Sequence, residues 1–365
     1  MRVIHYAPFA PNRCGMYEAA LDMMQADAKF GHQVDFVDVG MTIKNERMPP
    51  TKGARDERGE FPIQAIPPEA AQDADVIVAH TGIPSEWIVS SQVPMVWILH
   101  GRPFACFRTE RETNGISYSL MPALGAWARI KKMVTFWPEH APFWLACLPE
   151  KKLEVLKAPC VDGDRFNAEG PIYPIPAEAS GEVNILIAET ARVDSDPYEV
   201  AHGVLDAAKR RPGIRCHFYA LEEPRGPWEH VLNAFRKENA LGEVFGRMSS
   251  MERVYRAMDI VVTPHRIATR VMAEALCCGT PVVAALGCKW TLYTGMPDDP
   301  ESVGTAILNL LEDREKDANL VATDVGDARE AFSGPGFAEE MNRIYHESIG
   351  DVPVSVHKEI EDGND

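Results

Sequence analysis

The stretch ATRVMAEALCCGTPVVAA, residues 268–285, is typical of a short helix that ends at Gly279 and leads directly into a buried strand. Thr269 is a suitable N-cap, because its hydroxyl accepts a hydrogen bond from a first-turn amide. The helix is apolar except for Arg270 and Glu274, which lie one turn apart. A helix followed at once by a buried strand is the unit from which parallel α/β sheets are built.

Short runs of β-branched and aromatic residues recur along the chain. In the first half they lie at 3–7, 34–39, 75–80, 95–100 and 133–137. A second series lies at 183–189, 214–220, 243–248, 259–264 and 280–286, with helical periodicity over 16–30, 197–210, 228–238 and 251–258. Because apolar and polar residues do not alternate within these runs, we expect strands buried on both faces, as in parallel sheets covered by helices.

The two series predict an α/β fold with two doubly wound parallel-sheet, Rossmann-like domains facing a cleft. We expect the first domain at 1–160 and the second at 161–337. A last helix at about 338–349 packs on one of them, and the pattern leaves open which. The acidic residues 350–365 predict a flexible tail, and residues 48–62 a polar loop.

The composition, 45% hydrophobic and 25% charged residues, is that of an ordinary globular protein. The formal net charge of -17 disfavours non-specific attraction to nucleic acid or anionic membranes. No apolar run approaches the roughly 18 residues that a membrane helix needs, and no apolar leader precedes the first predicted strand. The eight cysteines lack metal-ligand spacing, so we expect reduced, buried thiols in a cytoplasmic protein and no metal.

Residues directly after the strands are candidate ligand contacts, because open α/β sheets bind ligands at the carboxyl ends of their strands. His100 ends a predicted strand and is followed by Gly101; His80 has the same position, and a core or loop histidine is the alternative for both. Gly15 lies in the loop after the first strand, which lacks the GxGxxG fingerprint of dinucleotide sites.

The start of the quoted helix is the most informative candidate site. Arg266 and Arg270 oppose the helix dipole there, unless an anion such as a diphosphate binds at Thr269 and Arg270. Glu274 lies at the edge of the buried stripe, where a carboxylate needs hydrogen-bond donors such as the two hydroxyls of a ribose. The alternative is an exposed Arg270–Glu274 pair that contributes about 0–0.5 kcal/mol.

Four segments carry a pattern in common with known proteins. They are VLKAPCVDGDRFN (155–167), VFGRMSSMERVYRAMDIVVTPH (244–265), EALCCGTPVVAA (274–285) and GMPDDPESVGTAILNLLED (295–313). In sequence and in order, they resemble motifs of the family 4 glycosyltransferases of the GT-B type. The resemblance implies retaining transfer of a sugar from a UDP- or GDP-sugar to an acceptor hydroxyl, with no metal or other cofactor. It implies that the first domain binds the acceptor and the second the nucleotide sugar.

The resemblance also implies a role for single residues. Glu274 matches the glutamate that binds the donor ribose, and Arg192 the arginine that binds the donor diphosphate. Gly15 matches the glycine that lets the backbone approach the diphosphate and sugar, and His100 the histidine beside the transferred sugar. In retaining members the leaving diphosphate accepts the proton of the acceptor, so that no side-chain base is needed.

Two positions depart from the family pattern. Arg266 stands where a second glutamate is expected to contact the donor sugar, and Pro197 stands near the position of an expected phosphate-binding lysine. Our hypothesis is that Arg266 or Arg270 replaces the lysine's charge and that the donor carries an unusual sugar, such as a pentose or a uronic acid. The alternative is a protein that binds sugar nucleotides without turnover.

The acceptor is least determined by the sequence. The segment 100–115 interleaves basic and aromatic residues, and Arg102, Phe104 and Arg108 are candidates for the acceptor cleft. We expect a glycan, a lipid-linked or a small-molecule acceptor, with a modified nucleobase in DNA as an alternative. A GT-B epimerase is disfavoured, because Glu189 is the single strand-end glutamate apparent for acid–base chemistry. The oligomeric state stays open.

Overall fold

The computed structural model describes residues 1–7, 15–38, 41–43, 46–48, 55–56, 59–60, 64–80, 92–100, 129–147, 152–156, 159–189, 197–221, 227–246, 248, 250–332 and 335–350. In chain order, the helices in these ranges are α1 (Gly15–Phe30), α2 (Ala141–Cys147), α3 (Tyr198–Arg210), α4 (Pro227–Lys237), α5 (Met251–Arg256), α6 (Arg270–Cys277), α7 (Pro300–Lys316), α8 (Ala318–Phe332) and α9 (Pro335–Ile349). Short 3-10 turns lie at Pro68–Asp73 and Pro138–His140.

The strands are also numbered in chain order. They are β1 (Arg2–Ala7), β2 (Gln33–Asp38), β3 (Met41–Ile43), β4 (Glu46–Met48), β5 (Arg55–Asp56), β6 (Gly59–Glu60), β7 (Gln64–Ala65), β8 (Val76–Ala79), β9 (Met95–Leu99), β10 (Ile130–Thr135), β11 (Lys152–Val155), β12 (Val183–Ile187), β13 (Ile214–Tyr219), β14 (Leu241–Phe245), β15 (Ile260–Val262), β16 (Val282–Ala285) and β17 (Thr294–Gly295).

The first half of the chain forms a parallel seven-stranded sheet in the order β11-β10-β9-β8-β1-β2-β7. Its central strands β8 and β9 are buried over their whole length, as the non-alternating apolar runs predicted. One face packs against Met23 of α1 and against Met341, Ile344 and Tyr345 of α9. The last helix of the chain therefore completes the core of the first sheet.

The second half forms a parallel six-stranded sheet in the order β14-β13-β12-β15-β16-β17. Helices cover both faces and enclose one apolar core on each side. Helices α3 and α7 pack closely because Gly203 has no side chain: a Cβ there would lie 2.4 Å from Cβ of Val303. The prediction of two doubly wound parallel sheets is confirmed.

Two local predictions differ from the structure. Strand β11 was not predicted; it is a short edge strand of only four residues that pairs with β10 alone. Residues 48–62, expected to be a polar loop, contain the two-residue antiparallel pair β5–β6 and the end of β4. Such pairs need backbone hydrogen bonds but no apolar pattern, so hydrophobic periodicity does not reveal them. The tail at 351–365 lies outside the described residues.

The chain passes between the two sheets at one step. Cys160 packs in the core of the first sheet, and Val161 packs in a core of the second. Helix α1, which packs on the first sheet, forms ion pairs with residues that follow Val161. The ammonium group of Lys29 lies 3.1 Å from a carboxylate oxygen of Asp162, and the guanidinium of Arg165 lies 3.2 Å from Glu18. Helix α1 therefore contacts the second half directly through charged side chains.

The five cysteines whose side chains the structure describes, Cys160, Cys216, Cys277, Cys278 and Cys288, are free and buried, as predicted for them. Among the described residues, no helix is both long and apolar enough to cross a membrane.

Candidate active site

His100 lies at the carboxyl end of β9 and is partly buried. Its Nε2 lies 2.8 Å from Nδ1 of His80, which follows the neighbouring strand β8. Burial and the positive charge of Arg270 lower the pKa of His100 to about 3. His100 is therefore a neutral imidazole at physiological pH, able to give or take a hydrogen bond but a weak proton acceptor.

Helix α6 positions Glu274 from the second sheet. Thr269 caps the helix as predicted, since its side chain accepts a hydrogen bond from the amide of Met272. The Glu274 residue is only 7% exposed; one carboxylate oxygen lies 2.6 Å from Nε of Arg270, and the other accepts from the Tyr255 hydroxyl at 3.1 Å. The i,i+4 pair exists, but it is buried rather than exposed, and burial raises the pKa of Glu274 against the opposing charge of Arg270.

Arg270 joins the two halves of the protein. Its Nη2 donates to Asp22 of α1 at 2.7 Å, and its Nε lies against Glu274 of its own helix. Burial alone would lower the pKa of Arg270, but the charges of Asp22 and Glu274 outweigh burial and raise it. Nη1 of Arg270 and Oδ1 of Asp22 are both buried, and among the described residues neither has a hydrogen-bond partner. This junction has polar atoms to offer to a ligand.

Two guanidinium groups lie near one aromatic ring at the same junction. The Arg165 guanidinium carbon is 4.5 Å from the centroid of the Phe166 ring, and that of Arg270 is 5.8 Å away. Arg165 is also paired with Glu18 and with Glu252. The four carboxylates of Glu18, Asp22, Glu252 and Glu274 thus exceed the two arginines, and a bound diphosphate needs further positive charge or amide donors.

Glu189 holds the start of α6 in place. It follows β12, is buried, and its Oε1 accepts hydrogen bonds from the hydroxyls of Thr263 at 3.1 Å and Thr269 at 3.3 Å. The Nε2 of His265 lies 3.8 Å from the same oxygen. The Thr269 hydroxyl therefore both donates to Glu189 and accepts from the helix, which fixes the direction of the first turn.

Comparison with solved structures identifies the fold, whereas two other comparisons find no match. No protein-family model matches the chain, and no curated protein matches it. A glycosyltransferase from Rickettsia africae matches with a TM-score of 0.63 at 15% identity, over 96% of this chain and 98% of that one. Sucrose-phosphate synthase from Thermosynechococcus elongatus matches with a TM-score of 0.60 at 15% identity, over 95% and 98%. The chain has the GT-B fold.

A third structure with the GT-B fold is an alpha-glucosyltransferase solved with UDP and a 13-mer DNA containing a HMU base. It matches with a TM-score of 0.60 at 11% identity, over 94% of this chain and 99% of that one. At these identities the likeness is one of fold, and the resemblance to family 4 stays a prediction.

The GT-B fold brings some of the predicted residues together. His100 and the Arg270–Glu274 pair come from different sheets, and the charge of Arg270 contributes to the lowered pKa of His100. Arg266 is exposed in the segment that leads into α6, and Gly15 is the first residue of α1. The remaining predicted residues, Arg192, Arg102, Phe104 and Arg108, lie outside the described part of the chain.

Sequence reasoning missed several residues of this GT-B junction. Asp22, Arg165 and Tyr255 each contact it through a side chain. Arg165 and Tyr255 lie inside the quoted motifs, whereas Asp22 is an isolated carboxylate in a helix whose tertiary partner the sequence does not reveal. Among the described residues, no cluster of histidine, cysteine or acidic side chains has the arrangement of a metal site.

Proposed function

We propose that this protein transfers a sugar from a nucleotide diphosphate sugar to an acceptor hydroxyl. The observation that carries the proposal is the GT-B fold with its junction of His100 from the first sheet and Arg270 and Glu274 from the second. Ligands of open α/β sheets bind at the carboxyl ends of the strands, which is where His100 lies. The buried free thiols favour a cytoplasmic location.

The donor is proposed to bind along α6. The ribose hydroxyls donate to the carboxylate of Glu274 in place of the Tyr255 hydroxyl, and Nη1 of Arg270, which has no partner among the described residues, is available to a donor phosphate oxygen. The first-turn amides after Thr269 add their partial positive charge. Gly15, at the start of α1, and Arg192 are proposed to contact the diphosphate, and no metal takes part.

Arg266 is proposed to set the donor's identity. Arg266 is exposed ahead of α6, so a ligand can reach its guanidinium. The guanidinium of Arg270, in contrast, is paired with the buried carboxylate of Asp22. A cation there suits a donor whose sugar carries a carboxylate, such as a uronic acid, and a pentose is the second choice because it is smaller. UDP and GDP are the nucleotides to test.

The transfer is proposed to retain the configuration at the anomeric carbon. His100, with a pKa of about 3, is poorly suited to accept the proton of the acceptor hydroxyl. A neutral imidazole instead binds a hydroxyl of the transferred sugar, and the leaving diphosphate accepts the proton on the same face. Catalysis then consists of electrostatic stabilisation of the departing diphosphate.

The experiment is a panel of UDP- and GDP-sugars, including hexoses, a pentose and a uronic acid, assayed for thermal stabilisation and for donor hydrolysis. A true donor stabilises the native state in proportion to its binding. Glu274→Ala should reduce the stabilisation by every nucleotide sugar, whereas Arg266→Ala should change the preference among sugars. Stabilisation without hydrolysis or transfer indicates a binding protein, and neither effect with any donor rejects the proposal.

The second candidate concerns the acceptor. A glycan, a lipid-linked or a small-molecule acceptor is our first choice, with Arg102, Phe104 and Arg108 as candidate contacts. A modified nucleobase in DNA is favoured by the structural likeness to an alpha-glucosyltransferase solved with DNA. Binding of a modified oligonucleotide with a steep dependence on salt concentration supports DNA, and absence of binding removes it.

A further inference from the structure

A chain of buried hydrogen bonds runs beneath His100 across three neighbouring strands. Nδ1 of His80 lies 2.8 Å from Nε2 of His100, and Nε2 of His80 lies 2.8 Å from Nδ1 of His5 in β1. Nε2 of His5 lies 3.0 Å from Oδ2 of Asp27 in α1, which also accepts from the Tyr345 hydroxyl of α9 at 2.8 Å. His5, His80 and Tyr345 are fully buried, as is Asp27.

The three histidine rings are oriented so that the hydrogen bonds between their nitrogens lie close to the ring planes. The planes of His5 and His80 differ by 20° and those of His80 and His100 by 25°, with ring centroids 5.1 Å apart in both pairs. Rings stacked face to face would be much closer. With nitrogens only 2.8 Å apart, each ring therefore meets the next edge to edge, and every nitrogen–nitrogen contact needs one proton.

Asp27 sets the donor-to-acceptor direction of this series of hydrogen bonds. An ionised carboxylate only accepts, so Nε2 of His5 carries the proton of their hydrogen bond. When this is the only proton on the His5 ring, Nδ1 of His5 accepts, which requires a proton on Nε2 of His80. The same rule applied once more requires a proton on Nε2 of His100. Burial lowers the pKa of both His80 and His100, so the outer two rings hold no second proton.

We propose that Asp27, acting through His5 and His80, fixes the tautomer of His100, so that Nδ1 of His100 is a hydrogen-bond acceptor at the junction of the two sheets. Asp27, His5 and His80 are positioning residues and do not touch the ligand. Among the described residues, Nδ1 of His100 has no hydrogen-bond partner, which leaves it available to a ligand.

The tautomer specifies what His100 recognises. A lone pair at Nδ1 accepts from a hydroxyl of the transferred sugar, whereas the other tautomer would present an N–H to that hydroxyl and favour an acceptor oxygen. This part rests on the proposed function, while the tautomer itself does not. The chain of hydrogen bonds therefore makes His100 selective for a hydroxyl group that donates its proton.

The direct test is a two-bond proton–nitrogen correlation spectrum of protein labelled at histidine nitrogens, recorded at about pH 8, above the usual histidine pKa of about 6.5. The signals of His100 are those lost in His100→Gln. We expect an unprotonated Nδ1 and a protonated Nε2. A protonated Nδ1 of His100 in the unaltered protein overturns the proposal, whether or not any variant folds.

Asp27→Asn tests the cause. Oδ1 of Asp27 is buried and has no partner within the described ranges, so an amide group turned that way would leave two N–H groups unpaired. The favoured orientation places the amide nitrogen towards His5 and Tyr345, which reverses every bond of the chain and protonates Nδ1 of His100. Tyr345→Phe is the matched control, because it removes the other hydrogen bond to the same oxygen of Asp27 but leaves the direction unchanged.

We expect Asp27→Asn to switch the His100 signals and to lower kcat for sugar transfer roughly tenfold or more, since an N–H replaces the acceptor for the sugar hydroxyl. Tyr345→Phe should keep the tautomer and stay within about threefold of the original kcat. A switch in both variants, or in neither, overturns the proposal. If no nucleotide sugar is turned over by the unaltered protein, the proposed function fails, and the spectrum still decides the tautomer.

Discussion

At the scale of single residues, Glu274, the carboxylate proposed to bind the donor ribose, already has hydrogen-bond partners within the protein. The carboxylate is removed from water, and Arg270 and Tyr255 satisfy it from two sides. An unpaired buried carboxylate would be costly, so these partners stabilise the folded protein. In the proposed binding mode, the ribose of the donor replaces the contact with Tyr255.

The first prediction concerns donor affinity. Glu274→Ala should weaken binding of the nucleotide sugar roughly tenfold or more, because a hydrogen bond to a charged group contributes about 1.5–3 kcal/mol. Isothermal titration measures the change. The control is Glu312→Ala, an exposed carboxylate on α7 remote from the junction. Equal affinity in both variants contradicts the assignment of Glu274 to the ribose.

A second prediction at this scale concerns His217 in β13. It is fully buried; its Nε2 lies 3.1 Å from the side-chain oxygen of Asn184, and its Nδ1 accepts from the amide of Glu243 at 3.0 Å. These contacts fit the neutral ring, and burial together with Arg215 lowers its pKa to about 4. The unfolded chain binds this proton at higher pH than the native protein does. Stability from His217 is therefore complete above about pH 6.5 and is lost as the pH falls to about 4.

His217 should account for roughly 3 kcal/mol of the loss of unfolding free energy between about pH 7 and pH 4. Chemical denaturation at several pH values measures it, and His217→Gln should flatten that dependence. His230→Gln, at an exposed position on α4, should leave the slope as it is. A slope in His217→Gln that equals that of the unaltered protein would show that His217 titrates normally.

Residue identities at the junction were only partly predictable. Glu274 and His100 stand out because each is a polar residue next to a strand end or on an apolar stripe. Asp22 and Asp27 were not recognised, since a lone carboxylate in a helix gives no sign of which distant side chain it meets. Tertiary partners such as Arg270, 248 positions from Asp22, are fixed by the packing of the two sheets.

At the scale of elements, the packing of α3 on α7 depends on small residues. Gly203→Ala would place a Cβ 2.4 Å from Val303, and the crowding should destabilise the protein by roughly 1–3 kcal/mol. Gly326→Ala in α8 is the matched control: no atom of the described residues lies within 4 Å of where its new Cβ would be, and the change should be neutral or stabilise by up to about 1 kcal/mol. Thermal denaturation compares the two, and equal shifts would mean that the helices separate without cost.

Elements with strong patterns were predicted well. The predicted helix at 197–210 is observed as Tyr198–Arg210, because its apolar residues repeat at helical spacing and face the sheet. The Thr269 cap was predicted because capping depends on local chemistry alone. Short edge strands such as Lys152–Val155 escape this reasoning, since their existence depends on a neighbouring strand rather than on their own residues.

At the scale of the whole molecule, α1 couples the two halves. Its Asp22 binds Arg270, so the contact between the sheets includes a buried charge pair. Asp22→Asn should lower the unfolding free energy by roughly 1–3 kcal/mol and increase the radius of gyration measured by small-angle X-ray scattering, because one charge holding the halves together is lost. Glu315→Gln breaks an exposed pair within the second half. It should change the unfolding free energy by no more than about 1 kcal/mol and leave the radius of gyration unchanged. An unchanged radius in Asp22→Asn would mean that other contacts set the closure.

The position of α9 has a consequence for how the protein is made. The first sheet buries Met341, Ile344 and Tyr345 of this helix, although more than two hundred residues separate them from its central strands. On the ribosome, α1 covers only part of this face of the first sheet, and the rest stays uncovered while the second half is synthesised. The core of the first sheet can therefore be completed only after α9 has been synthesised, so the first half of the fold finishes folding after the second half has been made.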